Sequence, residues 1–220
     1  EIGAALVGPT VKGPAGIPTV VTSYAQYVEK FGDTFQSGSD YYQYLTSHTA
    51  ERYLQFGGVL TVVRITGDSP LVATASVCTS SAASTAAGTA LKFHSLAHGS
   101  LLNSIDTGGA MTEGAKNTLT NGTKDNFRWE ITGVNNKIGT FNVNIRRGND
   151  TSNGKVLLEQ FNGVNLDPNS SNYVGKAIGD AYLTTAGTPS DPYIQSNGAY
   201  DAKSNYVRVE VVNQTVNYLD

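Results

Sequence analysis

The spacing of apolar residues changes character along this chain. Ile2 to Val7 and Ile17 to Val21 are short apolar runs of buried-strand length, and the intervening GPTVKGPAG carries two Gly-Pro dipeptides that force turns. Ser23 is placed to cap a helix over Tyr24 to Phe31, with Gly32 at the position where a left-handed residue is cheap. Ser39 is placed to cap a second helix over Asp40 to Phe56, with Tyr42, Leu45, Thr49, Tyr53 and Phe56 on one face at spacings of three and four, ended by Gly57 and Gly58. Val59 to Ile65 is nearly continuously apolar and β-branched, the pattern of a strand covered on both faces in an α/β layer. The unit reads as part of a sheet, its strand Thr61 to Ile65 expecting partners beyond these 220 residues.

Further on the period becomes two. Asn126 to Thr132 and Thr140 to Arg146 alternate, with Phe127, Trp129 and Ile131 on one strand matching Phe141, Val143 and Ile145 on the other, joined as a hairpin by Gly133 to Gly139. Val156 to Phe161 is a third strand, Ser171 to Tyr182 a short helix, and Tyr206 to Val212 the cleanest alternating strand. The fold class expected is therefore α/β plus α+β: an incomplete α/β core half over residues 1–68, followed by a β-rich α+β domain over residues 93–220.

Composition marks the same division. Asparagine is absent from residues 1–102 and occurs 18 times from Asn103 onward, and because Asn favours turns the second part should be richer in loops. Between the parts, Ser69 to Leu91 holds no charged residue and is dominated by Ala, Ser and Thr, so residues 69–92 read as a linker or as loosely paired strands. No internal repeat is evident.

The formal charge of −3, from 15 basic and 18 acidic residues, gives no clustered basic field for a phosphate backbone, so direct nucleic-acid binding is not expected. One cysteine, Cys78, rules out an internal disulfide and any CxxC motif. No apolar run reaches the roughly 20 residues that span a bilayer, so membrane insertion is not expected. No signal peptide is seen, and a first residue Glu1 in place of methionine suggests a processed or excerpted segment.

Catalytic chemistry finds little purchase. Gly8 and Gly13 are spaced as in a phosphate loop, but Pro14 stands where the lysine belongs. His94 and His98 lie four apart, a metal-holding spacing on a helix, with no Asp, Glu or Cys beside them; surface or loop histidines are the expectation. Cys78 has no basic neighbour in sequence to lower its pKa, and His48 is expected to pack on its helix. Glu29, Asp33, Glu51, Glu130 and Glu159 show no paired spacing, and the sequons at Asn121, Asn149, Asn169 and Asn213 follow from an abundance of Asn, Ser and Thr. The expectation is a protein that is not an enzyme, with no catalytic residues, no cofactor and no metal. Exposed Lys12, Glu29, Lys30, Asp33, Arg52 and Arg64 are candidates for ion pairs between subunits, though most surface charges only face water.

Several stretches resemble, in order, the beginning of contractile phage tail sheath proteins: Ala5 to Pro14 (ALVGPTVKGP), the helix ending Lys30-Phe31-Gly32, the aromatic helix closing on Gln55-Phe56-Gly57-Gly58, and Thr61 to Ile65 (TVVRI). Leu96 to Ile105 is similar to the family's small-residue loop before its hairpin, with His98, Leu101 and Leu102-Asn103 where the family shows a proline, a tryptophan and a Gly-Asn pair. Val156 to Val164 and Ser171 to Ile178 match the family's glutamate-plus-aromatic strand and short helix. The resemblance implies a structural virion protein that stacks on itself as hexameric rings around a tail tube, meets baseplate and neck proteins, and contracts to drive the tube through the host envelope. It places the protein in the virion tail, assembled in the host cytoplasm. It also implies a larger C-terminal portion completing the α/β core, with residues from about 70 onward as an outward-facing inserted domain. Two alternatives remain: a virion decoration or fibre-attachment module that folds alone, and a hydrolase or transferase whose site is assembled from distant residues.

Overall fold

The computed structural model describes residues 3–67, 70–78, 88–100, 102–104, 123–151 and 153–214. Within them the protein is β-rich, with several small sheets and no closed barrel. The chain divides into two compact units: Glu1–Val72 with Ala97–Gly99 and Leu183–Ser196, and Ala73–Leu96 with Ser100–Tyr182 and Asn197–Asp220.

The first unit is built on a three-stranded sheet, β1 (Ala4–Gly8), β5 (Leu60–Arg64) and β2 (Thr19–Val21), in the order β1-β5-β2. β5 lies in the middle, parallel to β1 and antiparallel to β2, so both of its edges are paired within the chain. The expectation that this strand lacks partners is corrected at the level of strands. Among the described residues, the helices cover one face of the sheet. Ala4, Leu6, Val21, Leu60 and Val62 share one face and pack with Tyr27 and Phe31 of α1 (Tyr24–Phe31) and with Ala50 and Leu54 of α2 (Leu45–Gln55). The opposite face carries Ala5, Val7, Val20, Thr61 and Val63, and Val7 and Val20 are 60% and 54% exposed.

Helix α1 has the predicted bounds, and its end groups explain why. Ser23 Oγ accepts from Gln26 N at 3.3 Å, and Gly32, at φ 74°, donates its N–H to Val28 O at 2.9 Å. A Cβ on Gly32 would also fall 2.8 Å from Val11 Cβ, so glycine is required for space as well as for conformation. Ser23→Ala is expected to lower stability by about 1 kcal/mol, checked by the midpoint of urea denaturation.

The second helix differs from the prediction in both extent and face. Asp40–Gln43 is a strand, β4, paired antiparallel with β3 (Thr34–Ser37) around Gly38 at φ 65°. The aromatics decide this: Phe35 packs against Tyr42 and Tyr44 with ring centroids 5.8 and 4.8 Å apart, a cross-strand pairing that a helix through Tyr42 would break. α2 then buries Thr46, Ser47, Ala50 and Leu54, while Leu45 and Thr49 are exposed and Phe56, just past its end, is 90% exposed. Small residues face inward because the helix lies close to the sheet; a Cβ on Gly8 would meet Thr46 Oγ1.

In the second unit, β6 (Val72–Cys78), β7 (Thr89–His98) and β14 (Val207–Val211) form one sheet in the order β14-β7-β6. The Ala/Ser/Thr-rich stretch thus supplies a strand, β6; residues 79–87 lie outside the described residues. A second sheet has the order β11-β10-β9-β8, from β8 (Leu102–Ser104), β9 (Phe127–Asn135), β10 (Thr140–Arg147) and β11 (Leu157–Val164). The predicted hairpin is present, with Ile145 opposite Trp129 and Val143 opposite Ile131. Phe93, Trp129, Val143, Ile145, Val207 and Val209 are buried in its core together with Val174 and Ile178 of α3 (Val174–Ile178). The helix predicted to run on to Tyr182 stops at Ile178: Gly179 adopts φ 99°, where a Cβ would meet Asp201 O at 2.5 Å, and Tyr182 opens a strand. That strand, β12 (Tyr182–Thr188), pairs with β13 (Asp191–Asn197) in a mostly exposed hairpin not anticipated from the sequence, and Leu183–Ser196 of it belong to the first unit.

Candidate functional site

In the first unit the Gly-Pro loop is tied down from within. Arg64 Nη1 donates to Gly13 O at 2.7 Å and to His98 O at 2.8 Å, Ala15 N donates to His98 Nδ1 at 3.1 Å, and Gly16 N to Arg64 O at 3.0 Å. Lys12 N is used by Phe31 O at 3.0 Å. The backbone N–H groups of Lys12, Ala15 and Gly16 are therefore spent on the protein itself, and Gly13, at φ 110°, has its Cα against Lys30 O and the Phe31 ring. The loop is a structural clasp.

His98 Nδ1 acts as an acceptor, which requires a neutral ring, and burial beside the Arg64 guanidinium holds its pKa below the ordinary 6.5. The neutral form is favoured by folding, so this contribution is complete above about pH 6.5 and is lost as pH falls toward the lower folded value. Thermal denaturation should therefore show a midpoint that drops between pH 7.5 and 5.5, with a smaller drop for His98→Gln.

A second node is centred on Asp33, whose Oδ1 accepts from Tyr24 OH at 2.9 Å, Gln43 Nε2 at 2.6 Å and Ser47 Oγ at 3.3 Å. Burial, with help from Asp33, raises the Tyr24 pKa, so the phenol stays a donor. Of the charges expected to face neighbouring subunits, Asp33 and Arg64 are therefore internal ties. Glu29, Lys30 and Arg52 are exposed, Arg52 within 3.3 Å of Gln55 Oε1, and Lys12 is half-buried.

In the second unit a charged cluster is enclosed by protein. Arg128 and Glu130 of β9 and Arg146 of β10 project from the sheet face opposite Trp129 and Ile145, and that face too is buried, Arg128 being 0% and Arg146 1% exposed. Arg146 grips Asp150 with two hydrogen bonds, Nε to Oδ2 at 2.7 Å and Nη2 to Oδ1 at 2.9 Å, and reaches Glu130 Oε2 at 3.4 Å. Arg128 Nη1 lies 3.3 Å from Asp150 Oδ1, and Lys155 Nζ 2.7 Å from Glu130 Oε1 at the half-exposed rim. Asp150 thus bridges two arginines that sit directly opposite each other across the strands. With the Asp150 side chain fully enclosed, its bonds to both arginines fix strand register and loop conformation.

His94 and His98 lie on strand β7, so four residues place them roughly 13 Å apart on one face, too far to share a metal. His94 is buried, which corrects the expectation of a surface or loop histidine: it contacts Thr74 Oγ1 through Nδ1 at 3.0 Å and Glu210 Oε2 through Nε2 at 2.9 Å. Among the described residues no group of three His, Cys, Asp or Glu could hold a metal ion. Cys78 is free and exposed, and His48 is exposed where packing was expected.

No protein-family model matches the sequence, and no curated protein matches it. Among solved structures the chain is similar to a sheath tail protein from Desulfitobacterium hafniense, at 11% identity and a TM-score of 0.34. The match covers 99% of this chain and 36% of that protein, so this chain spans about a third of its length.

The remaining feature able to act on a partner is surface. On the first unit the second face of the β1-β5-β2 sheet is apolar and β-branched, and the outer side of α2 exposes Leu45 together with Phe56 beyond its end. Such apolar surface is what a monomer ordinarily buries. The sequence did signal it, since Val59 to Ile65 has the composition of a strand covered on both faces. The ionic cluster gave no comparable signal: Asp150 and Arg128 are 22 positions apart, in a loop and a strand whose polar face reads as solvent-facing. No helix among the described residues is long and apolar enough to cross a membrane.

Proposed function

We propose that this chain is the N-terminal portion of a contractile tail sheath subunit, which polymerises on itself as stacked hexameric rings around a tail tube and contracts to drive the tube through a host envelope. It works without catalysis or cofactor, in the virion tail, and its partners are further copies of itself, the tube protein, and the baseplate and neck proteins. What supports the reading in the sequence is the ordered set of motifs from ALVGPTVKGP to SNYVGKAI. The observation that carries it is the half-covered sheet of the first unit. Helices pack one face, while exposed Val7 and Val20 flank β5 on the other, so the unit calls for a further protein layer.

A sheath subunit supplies that layer from its own continuing chain, and presents the outer apolar surfaces to neighbours in the lattice. Contraction then follows from two packings of rigid bodies whose small difference in free energy is summed over many subunits. Reading the parent gene onward from Asp220 tests this: the proposal expects a further α/β half, and a stop codon at that point would sink it.

A further inference from the structure

The second unit contains a cavity of about 340 Å³ lined by Tyr173, Asp180, Tyr182, Gly198, Arg208 and Glu210 among others. Its volume falls in the range of small-ligand sites. Arg208 enters from β14 and lays its guanidinium 4.0 Å over the Tyr182 ring. Stacking uses the face of the guanidinium plane and leaves the N–H edges, which make no hydrogen bond or ion pair among the described residues. Burial also pulls the Arg208 pKa below its ordinary value, a penalty on the charge that an anionic partner would offset.

The carboxylates beside it are unequal. Glu210 is engaged by His94 Nε2 at 2.9 Å and Lys92 Nζ at 3.3 Å. Asp180 uses Oδ1 to accept from the backbone N of Ala199 at 2.9 Å and Tyr200 at 2.7 Å, leaving Oδ2 with no donor among the described residues. Gly198 fixes this group, since at φ 94° its Cα packs where a Cβ would lie 2.6 Å from Asp180 O. The cavity thus offers a donor fork without an acceptor and a carboxylate oxygen without a donor. The lining sets Arg208 against Asp180 and Glu210, and Glu210 is answered by Lys92 from outside the lining, which disfavours a dianion and leaves the Arg208 fork for one carboxylate.

We propose that this cavity binds a small hydroxy-carboxylate of the sugar-acid class, its carboxylate taken by the Arg208 fork and a hydroxyl donating to Asp180 Oδ2. The chemistry is shared by a free sugar acid and by a uronic unit of a polysaccharide. The test is isothermal titration calorimetry of the 220-residue chain with sodium glucuronate, a polyuronate oligomer, glucose, acetate and glycine. Glucuronate should bind at least about tenfold more tightly than glucose or acetate, each of which lacks one of the two groups. Arg208→Gln should lose that margin and Arg208→Lys most of it, because an ammonium cannot form the fork; a retained native thermal transition confirms that either variant is folded. Oligomer binding that is equally sensitive to Arg208→Gln identifies a polymer as a source, and monomer binding alone identifies the free acid. The proposal is overturned if glucuronate does not bind, if Arg208→Gln binds it unchanged, or if acetate or glycine matches it.

Discussion

Replacing Asp150 by alanine is expected to destabilise the second unit by about 3–5 kcal/mol, the cost of breaking a buried ion pair from one side. The reason lies in what stays behind. Arg146 and Arg128 face each other across β10 and β9, both essentially without solvent, and Asp150 is the group that touches both. Its Oδ2 also holds Val156 N at 2.9 Å, so its removal releases the loop before β11 as well. Both guanidinium groups would lose the carboxylate they share in a dry pocket, while Glu130 Oε2 stays 3.4 Å from Arg146 Nη1. Urea denaturation followed by fluorescence measures this directly, because the sequence contains one tryptophan, Trp129, which packs 5.5 Å from Phe93 in that unit's core. Enclosure makes the loss nearly independent of salt. A loss below about 1 kcal/mol would mean that the cluster is hydrated and that its charges are not held in the way described.

Phe31→Ala is expected to be equally severe for the first unit, at about 3–5 kcal/mol. Phe31 is 0% exposed, packs at a tilt against Tyr27 with ring centroids 5.5 Å apart, and forms the wall against which Gly13 closes the Gly-Pro clasp. The core here is small, built on Val21, Tyr27, Ala50, Leu54, Leu60 and Val62 around it, so little remains to fill the space a phenyl ring leaves. Amide hydrogen exchange at Val62 should accelerate by about 10²-fold to several thousandfold, the equivalent of that energy loss. An unchanged rate at Val62 would show that α1 does not hold the sheet.

How far the sequence could be read depended on whether the deciding contact was local. Ser23 and Gly32 bound α1 through interactions within one turn, and the alternation of Phe127, Trp129 and Ile131 is a property of a single strand; both were legible. The stretch Asp40–Gln43 was misread as helix because its competitor is Phe35 on the neighbouring strand, invisible to a helical-face count. The buried face of α2 was misassigned for a related reason. Hydrophobicity favours Leu45 and Phe56 as core, but close approach to β1 selects Thr46 and Ala50. Arg64 and Asp33 read as surface charges, since their acceptors and donors, such as Gly13 O and Gln43 Nε2, lie in other elements. The apolar surface behind the proposed assembly was the legible part of the candidate site, because composition alone carries it. The bridge from Asp150 to Arg128 and the cavity at Arg208 required the fold.

The central claim, that this chain belongs to a polymerising sheath, is tested most directly by electron microscopy of the assembled parent particle. Striated tubes in a long and a shortened form are the predicted result. Smooth tubes of a single length would contradict it.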